Sequence, residues 1–225
     1  MIIIIVIIIV LICFLILFKR KHIEINFKSM KYKKAKVIDD RFGVYLITGK
    51  QGTNKTYYAC QLAYNQDRKR VNYIKTNIHS LNIPDYDIRY FTKIEEIYQD
   101  TDENVIYIID EVSRKYKKNS LCDTQFYAWL NQCRKRSRVC ILITQEYKEL
   151  PMWLRRPAKY MLNSYALPIL TKFFNIFALN VGDGYNLTYD KDEGEYICPT
   201  LKTILYKRNS FICSMYDTFE PINEL

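Results

Sequence analysis

The fold is decided by the stretch Val44-Tyr45-Leu46-Ile47-Thr48-Gly49-Lys50-Gln51-Gly52-Thr53-Asn54-Lys55-Thr56. Residues 44–47 are apolar or aromatic and predict a buried β-strand. A glycine-containing loop follows over residues 49–54, and a helical pattern then runs from residue 55 to about residue 68. A strand, a glycine loop and a helix in immediate succession predict a turn whose backbone N–H groups gather at a helix N-terminus.

This loop matches the phosphate-binding P-loop, G-x-x-x-x-G-K-[ST], with one departure. Lys55 supplies the cation for the β- and γ-phosphates and Thr56 the hydroxyl for Mg²⁺, whereas Asn54 stands where the last glycine is expected. Asparagine tolerates left-handed backbone better than most residues, so the loop can keep its shape. We therefore expect ATP and Mg²⁺ as cofactors; the alternative is an ordinary glycine turn. The expected binding positions are Gly49, Lys50, Gln51, Gly52, Thr53, Asn54, Lys55 and Thr56.

A second landmark is the apolar run over residues 105–109, which ends in Asp110 and Glu111. A continuous apolar run is typical of a central parallel strand that is buried on both faces. Open α/β sheets bind their ligands at the carboxyl ends of such strands. Asp110 is therefore expected to hold Mg²⁺ together with Thr56, and Glu111 to polarise the attacking water. A carboxylate pair at an exposed strand end is the alternative.

A third apolar run, residues 139–143, ends in Thr144 and Gln145. Gln145 is placed where a γ-phosphate or an attacking water can be sensed, although it could also be an ordinary polar strand end. The fold class predicted is α/β: a P-loop NTPase with a mainly parallel central sheet flanked by helices. C-terminal β-rich pieces, over residues 159–180 and 194–207, and an N-terminal transmembrane helix complete the prediction.

The net charge of +10 is concentrated near the N-terminus. Residues 19–36 carry eight Lys or Arg and one acid, whereas the other 207 residues carry only +3. Residues 1–18 contain no charge and, as a helix, would span about 27 Å, close to the hydrocarbon thickness of a bilayer. We predict a transmembrane helix over residues 1–18, a basic juxtamembrane tether over 19–41 and a P-loop ATPase domain over 42–225. A buried strand pair and a DNA-binding arm are the alternatives for the first two.

By the positive-inside rule, the basic tether places the ATPase domain on the cytoplasmic side of a single-pass anchor in the host inner or cell membrane. The seven cysteines contain no C-x-x-C pair, and the two histidines are isolated. This pattern is typical of reduced thiols in a cytoplasm-like compartment and argues against a disulfide framework or a zinc site.

Two basic segments lie between the motifs, over residues 114–119 and 134–138. They either grip a nucleic-acid backbone or are solvated surface charges. The helical pattern between them, over residues 121–136, predicts an apolar cluster that includes Leu121. A further helix is expected after Thr92, which has Glu95 as its capping-box partner.

Taken in order, residues 49–56, the Asp110-Glu111 pair and Ile143-Thr144-Gln145 resemble the motifs of the FtsK/HerA-type additional-strand P-loop ATPases. Within these, the chain looks most like the zonular occludens toxin (Zot)-like proteins of filamentous phages. The resemblance covers about residues 42–221, including a Tyr-x-Thr-x-Glu ending at 216–220. It departs at Asn54 and in the position of the membrane segment, which in Zot-like proteins usually follows the ATPase domain.

The resemblance implies an ATPase at the inner membrane that drives DNA movement or virion extrusion. It implies catalytic roles for Lys55, Asp110, Glu111 and Gln145, and Mg²⁺ ligation by Thr56 and Asp110. The implied partners are the membrane, single- or double-stranded DNA, other virion assembly proteins and further copies of the chain in a ring. An arginine from a neighbouring subunit would complete the site; the candidates are Arg134, Arg138, Arg155 and Arg156.

The leading hypothesis is thus a membrane-anchored P-loop ATPase for DNA transport or for virion assembly and extrusion in a phage or mobile element. A viral DNA-packaging ATPase and a coupling-type ATPase of a mobile element fit the same motifs. A non-hydrolysing membrane-anchored scaffold with a degenerate P-loop fits the Asn54 departure, and a small-molecule kinase fits the P-loop alone.

Overall fold

The computed structural model describes residues 23–25, 42–66, 70–191 and 194–217 of the chain. The predicted transmembrane helix over residues 1–18 lies outside the described residues, as does most of the predicted tether. Within the described part, none of the helices combines the length and the hydrophobicity that crossing a bilayer requires.

A nine-stranded sheet forms the centre of the described structure, with the strand order β1-β11-β8-β7-β2-β6-β5-β3-β4. Among the described strands of this sheet, β8 alone runs antiparallel to its neighbours. A separate antiparallel hairpin joins β9 to β10. The strands are β1 (Ile23–Ile25), β2 (Gly43–Thr48), β3 (Tyr73–Thr76), β4 (Ile88–Tyr90), β5 (Val105–Ile109), β6 (Val139–Ile143), β7 (Ala158–Ala166), β8 (Ile176–Asp183), β9 (Thr188–Asp190), β10 (Glu195–Ile197) and β11 (Thr200–Lys207).

The three central strands are those that the apolar runs predict. Every residue of β2, β5 and β6 is buried, because helices cover both faces of the sheet. Strand β6 lies between β2 and β5 and pairs in parallel with both. The carboxyl ends of the three strands therefore meet at one edge, which we call the phosphate edge. The prediction of a mainly parallel α/β sheet is confirmed.

Six short helices accompany the sheet in the described residues: α1 (Lys55–Tyr64), α2 (Glu95–Tyr98), α3 (Thr124–Gln132), α4 (Met152–Arg155), α5 (Pro168–Phe174) and α6 (Ser210–Cys213). Helices α1 and α6 contribute to the hydrophobic core on one face of the sheet. Helices α2, α3 and α4 contribute to the core on the other face. The result is a three-layer arrangement in which the sheet separates two cores.

Two predicted helix starts are displaced. Helix α3 begins at Thr124, where the Asp123 carboxylate caps the Phe126 N–H. Leu121 therefore precedes the helix and is 92% exposed, so its predicted place in the apolar cluster is wrong. Before α2, the N–H and hydroxyl of Thr92 bond to Glu96 rather than to the expected Glu95.

The β-rich prediction for residues 159–180 misses α5, which interrupts the β7–β8 connection. Pro168 occupies the first turn, and Asn175 ends the helix in the left-handed conformation, with φ 56°. The strands themselves extend the central sheet instead of forming a separate piece. Strands β9 and β10 pair as an antiparallel hairpin, in which Ile197 lies opposite Thr188.

The two basic segments lie at opposite edges of the sheet. Residues 114–119 follow β5 at the phosphate edge, whereas residues 134–138 precede β6 at the far edge, where the Arg138 carbonyl accepts a hydrogen bond from Gly43 N (2.8 Å). The two segments therefore do not form one continuous basic surface.

Candidate active site

The loop between β2 and α1 has the positive φ angles that a P-loop needs. Asn54 has φ 68° and ψ 32°, the left-handed conformation expected for this position. Gly49 has φ +146°, and a Cβ there would overlap the Ser164 carbonyl oxygen and the Thr53 hydroxyl. Glycine is thus required at the first motif position for space as well as for backbone freedom, whereas asparagine satisfies the last.

One carbonyl organises the interior of this loop. The Lys50 oxygen accepts hydrogen bonds from Thr53 N (3.2 Å), Thr53 Oγ1 (2.7 Å) and Lys55 Nζ (3.1 Å). Lys50, Gln51 and Gly52 form the exposed tip of the loop. Burial lowers the pKa of the Lys55 ammonium, and the carboxylates of Asp110 and Glu111 partly offset that effect.

Asp110 lies directly beneath the start of α1. The Thr56 hydroxyl donates to its Oδ2 (3.3 Å), and the Glu111 N–H donates to its Oδ1 (2.8 Å). Asn77, at the end of β3, holds the Asp110 backbone at two points, since Oδ1 accepts from the amide (2.8 Å) and Nδ2 donates to the carbonyl (3.0 Å). Burial raises the pKa of Asp110 to about 6, and the hydrogen bond from Glu111 N opposes this rise.

Glu111 occupies a left-handed backbone position, with φ 51° and ψ 43°. This conformation ends the strand and turns the chain into a short 3₁₀ turn over residues 112–114. The Glu111 carboxylate forms an ion pair with the Arg114 guanidinium within that turn. The Glu111 carboxylate, paired with Arg114, stays partly exposed at the phosphate edge, next to Asp110.

The end of β6 completes the site. The Gln145 carbonyl accepts a hydrogen bond from Gly49 N (3.0 Å), so its backbone supports the first glycine of the loop. The Gln145 side chain is exposed. Its neighbour Thr144 is fully buried, and its hydroxyl has no hydrogen-bond partner among the described residues. Thr144 is thus a second polar group at this strand end, for which the sequence predicted no role.

Residues 45–164 match the model of the ATPase family associated with various cellular activities (AAA). The matched region runs from β2 to β7 and contains the P-loop, Asp110, Glu111 and Gln145. The chain belongs to the AAA family. A search of curated proteins returned no match.

Two solved structures are similar to this AAA chain. The N-terminal domain of zonular occludens toxin from Neisseria meningitidis has a TM-score of 0.52 at 19% identity, covering 79% of this chain and 100% of the other. The genome packaging NTPase B204 from Sulfolobus turreted icosahedral virus 2, in complex with ATP-gammaS, has a TM-score of 0.46 at 15% identity, covering 73% and 100%. The Zot-like resemblance expected from the motifs is confirmed at the level of the fold.

The AAA site fits Mg²⁺ and a nucleoside triphosphate. Mg²⁺ prefers oxygen ligands, and the Thr56 hydroxyl and a buried Asp110 carboxylate are already paired. A cation bound there would also oppose the rise in the pKa of Asp110 that burial causes. Lys55 and the N-terminus of α1 supply positive charge for the phosphates.

Of the four arginines proposed as donors to a neighbouring AAA site, two are buried. Arg138 donates from Nε to the Asp102 carbonyl and from Nη2 to the Asp100 carbonyl, both at 2.7 Å. It is 1% exposed and therefore stabilises the fold of its own chain.

Arg155 is also buried, with its guanidinium over the Tyr147 ring (5.4 Å). Arg134 and Arg156 are exposed.

Sequence reasoning also missed the support behind the loop. Ser164, at the end of β7, donates its hydroxyl proton to the Thr53 carbonyl. The same Ser164 oxygen lies 3.1 Å from the Tyr206 hydroxyl on β11. Neither residue belongs to a recognisable motif, and strand pairing alone brings them to the P-loop.

Proposed function

We propose that this protein is a membrane-anchored P-loop ATPase that uses ATP hydrolysis to drive DNA transport, or virion assembly and extrusion, in a phage or mobile element. The observation that carries the proposal is the meeting of Lys55, Thr56, Asp110 and Glu111 at one edge of the sheet. These groups come from two segments that lie 54 residues apart in the sequence. Their convergence in a chain of the AAA family supports hydrolysis over a non-hydrolysing scaffold.

The binding roles follow from position and charge. The loop N–H groups over residues 49–56 and the Lys55 ammonium bind the phosphates. The Thr56 hydroxyl and the Asp110 carboxylate are the protein ligands for Mg²⁺. When bound, the metal neutralises charge on the phosphate oxygens. Asn77 fixes the orientation of Asp110 through its two backbone hydrogen bonds.

The reaction itself needs a base and a sensor. Glu111 lies next to Asp110 and is the candidate to accept a proton from the attacking water. Its ion pair with Arg114 fixes the carboxylate near the phosphate edge. Gln145, in the same row of strand ends, is the candidate to contact the γ-phosphate or the water.

The cellular setting rests on sequence. The uncharged segment over residues 1–18 and the following basic residues support a single-pass anchor with the ATPase domain in the cytoplasm. DNA, virion assembly proteins and neighbouring copies in a ring are the proposed partners. Genome packaging in a membrane-associated virus would use the same site and remains the second candidate.

The test is ATP turnover by the full chain in detergent or nanodiscs. Lys55→Ala is expected to abolish turnover, and Glu111→Gln to retain ATP binding while losing turnover at least a hundredfold. Lys135→Ala, which changes an exposed lysine at the far edge, should leave both unchanged. Turnover of Lys55→Ala at the wild-type rate would refute the catalytic assignment, and binding without turnover by the wild-type chain would favour the scaffold alternative.

A further inference from the structure

Three polar side chains form a row behind the P-loop, on the side away from its exposed tip. Ser164 lies on β7 and Tyr206 on β11, and both are fully buried at 0% exposed. Asn54 belongs to the loop itself, and its Nδ2 atom is buried. Two strands that carry none of the P-loop motifs thus support the loop, since Ser164 bonds to the Thr53 carbonyl and Tyr206 contacts Ser164.

The direction of the hydrogen bonds in this row is fixed by donor counting. Ser164 has one hydroxyl proton and donates it to the Thr53 carbonyl. The Tyr206 hydroxyl must therefore be the donor in its 3.1 Å contact with the Ser164 oxygen. The Tyr206 oxygen remains as an acceptor, and the donor beside it is the Asn54 amide.

Asn54 Nδ2 has no partner within the limits of a standard hydrogen bond among the described residues, but it lies close enough to the Tyr206 oxygen to act on the pKa of the phenol. Burial raises the pKa of the Tyr206 phenol, and the Asn54 amide acts against that rise. A small rotation of the amide would complete a chain of donors from Asn54 through Tyr206 and Ser164 to the Thr53 carbonyl.

The Tyr206 ring also contacts the first turn of α1. It stacks on Tyr57 with a centroid distance of 5.8 Å and lies at a tilt against Tyr58 at 5.7 Å. These two residues directly follow Lys55 and Thr56 in the sequence. A single buried side chain therefore contacts the elements on both sides of the two residues expected to bind phosphate and Mg²⁺.

We propose that Tyr206 is a positioning residue of the nucleotide site, which acts through Ser164 and Asn54 to hold the P-loop in its phosphate-binding shape. The proposal rests on the proposed function, since it assigns a role in binding ATP. It also accounts for Asn54: the amide gives the loop an additional contact with β11 that a glycine would lack.

The experiment compares ATP affinity and melting temperature in variants of the full chain. Tyr206→Phe keeps the ring and removes the hydroxyl, so we expect ATP affinity to fall about tenfold and nucleotide-free melting to change little. Asn54→Gly is expected to weaken binding as well, and the double variant to be no weaker than Tyr206→Phe alone, because both substitutions break one chain.

The matched control is Tyr58→Phe. Its hydroxyl is buried beside Tyr206 but has no hydrogen-bond partner among the described residues, so ATP affinity should stay within twofold of the wild type. ATP affinity of Tyr206→Phe equal to the wild type, an equal loss in Tyr58→Phe, or additive losses in the double variant would each overturn the proposal while leaving the proposed function standing. Failure of the wild-type chain to bind ATP would overturn both.

Discussion

The buried Asp110 carboxylate lowers the stability of the folded chain, yet it is suited to the nucleotide site. Burial opposes its ionisation and raises its pKa from the usual 3.8 to about 6. The folded chain therefore holds this proton at a pH where the unfolded chain has already lost it. Stability is then lost as pH rises between about 4 and 6, by on the order of 3 kcal/mol at most.

Asp110→Asn removes this titration. The variant should gain stability relative to the wild type between pH 4 and pH 7, because an amide does not have to ionise in a buried place. It should also lose the additional stabilisation that Mg²⁺ gives to the ATP complex. Thermal unfolding across this pH range, with ATP and with or without Mg²⁺, measures both effects. A wild-type curve that is flat from pH 4 to pH 6 relative to the variant would contradict the expected shift.

At the scale of elements, the turn between α3 and β6 depends on Arg138. Its guanidinium satisfies two carbonyls of the 100–102 segment and lies over the Trp129 ring (5.3 Å). The turn thus joins α3, β6 and the loop that precedes β5. A residue in this setting stabilises the fold of its own subunit.

Arg138→Ala should lower the free energy of unfolding by about 2–4 kcal/mol, because it leaves two carbonyls without donors and removes buried packing. Arg138→Lys should recover little of that loss, since a lysine ammonium lacks the planar guanidinium geometry that donates to both carbonyls at once. Arg134→Ala, an exposed neighbour, should change stability by less than about 0.5 kcal/mol. Urea denaturation distinguishes the cases, and equal stability of the Arg138→Ala and wild-type chains would refute the structural role.

Sequence reasoning succeeded where local pattern decides structure. The strands β2, β5 and β6 follow from uninterrupted apolar runs, and their parallel pairing brings Thr56 to Asp110. Sequence reasoning failed where contacts between distant residues decide the structure. Leu121 has a helical spacing but precedes the cap at Asp123. Asn77, Ser164 and Tyr206 support the site from separate strands, and no local motif marks them.

At the scale of the whole molecule, the sheet separates the two basic segments and so makes their roles testable. Ser113, Lys117, Lys118 and Lys148 line an open cavity of about 560 Å³ that also includes Glu146 and Glu149. This cavity lies beyond the ends of β5 and β6, at the phosphate edge. If the chain binds a polyanion, a segment that begins three residues after Glu111 is placed to couple that binding to hydrolysis.

If DNA is the transported partner, reversing the charge at Lys117 and Lys118 together should remove most of the DNA stimulation of ATP turnover and spare the basal rate. The physical reason is the loss of phosphate contacts, which also predicts a weaker dependence on salt. Lys135→Glu, at the far edge, should retain stimulation. Stimulation lost only in the Lys135→Glu variant would place the DNA contact at the opposite edge of the sheet.

The pairing of β1 with β11 limits how the domain can be oriented on a membrane. Both strands run toward the phosphate edge, and Ile23 lies opposite Thr203, so the chain enters the sheet from the far side. Five Cα–Cα steps separate residue 18 from Ile23 and span at most about 17 Å. If residues 1–18 cross the bilayer, the far edge must therefore lie close to the lipid headgroups. The nucleotide site would then open away from the bilayer, toward ATP and cargo in the cytoplasm.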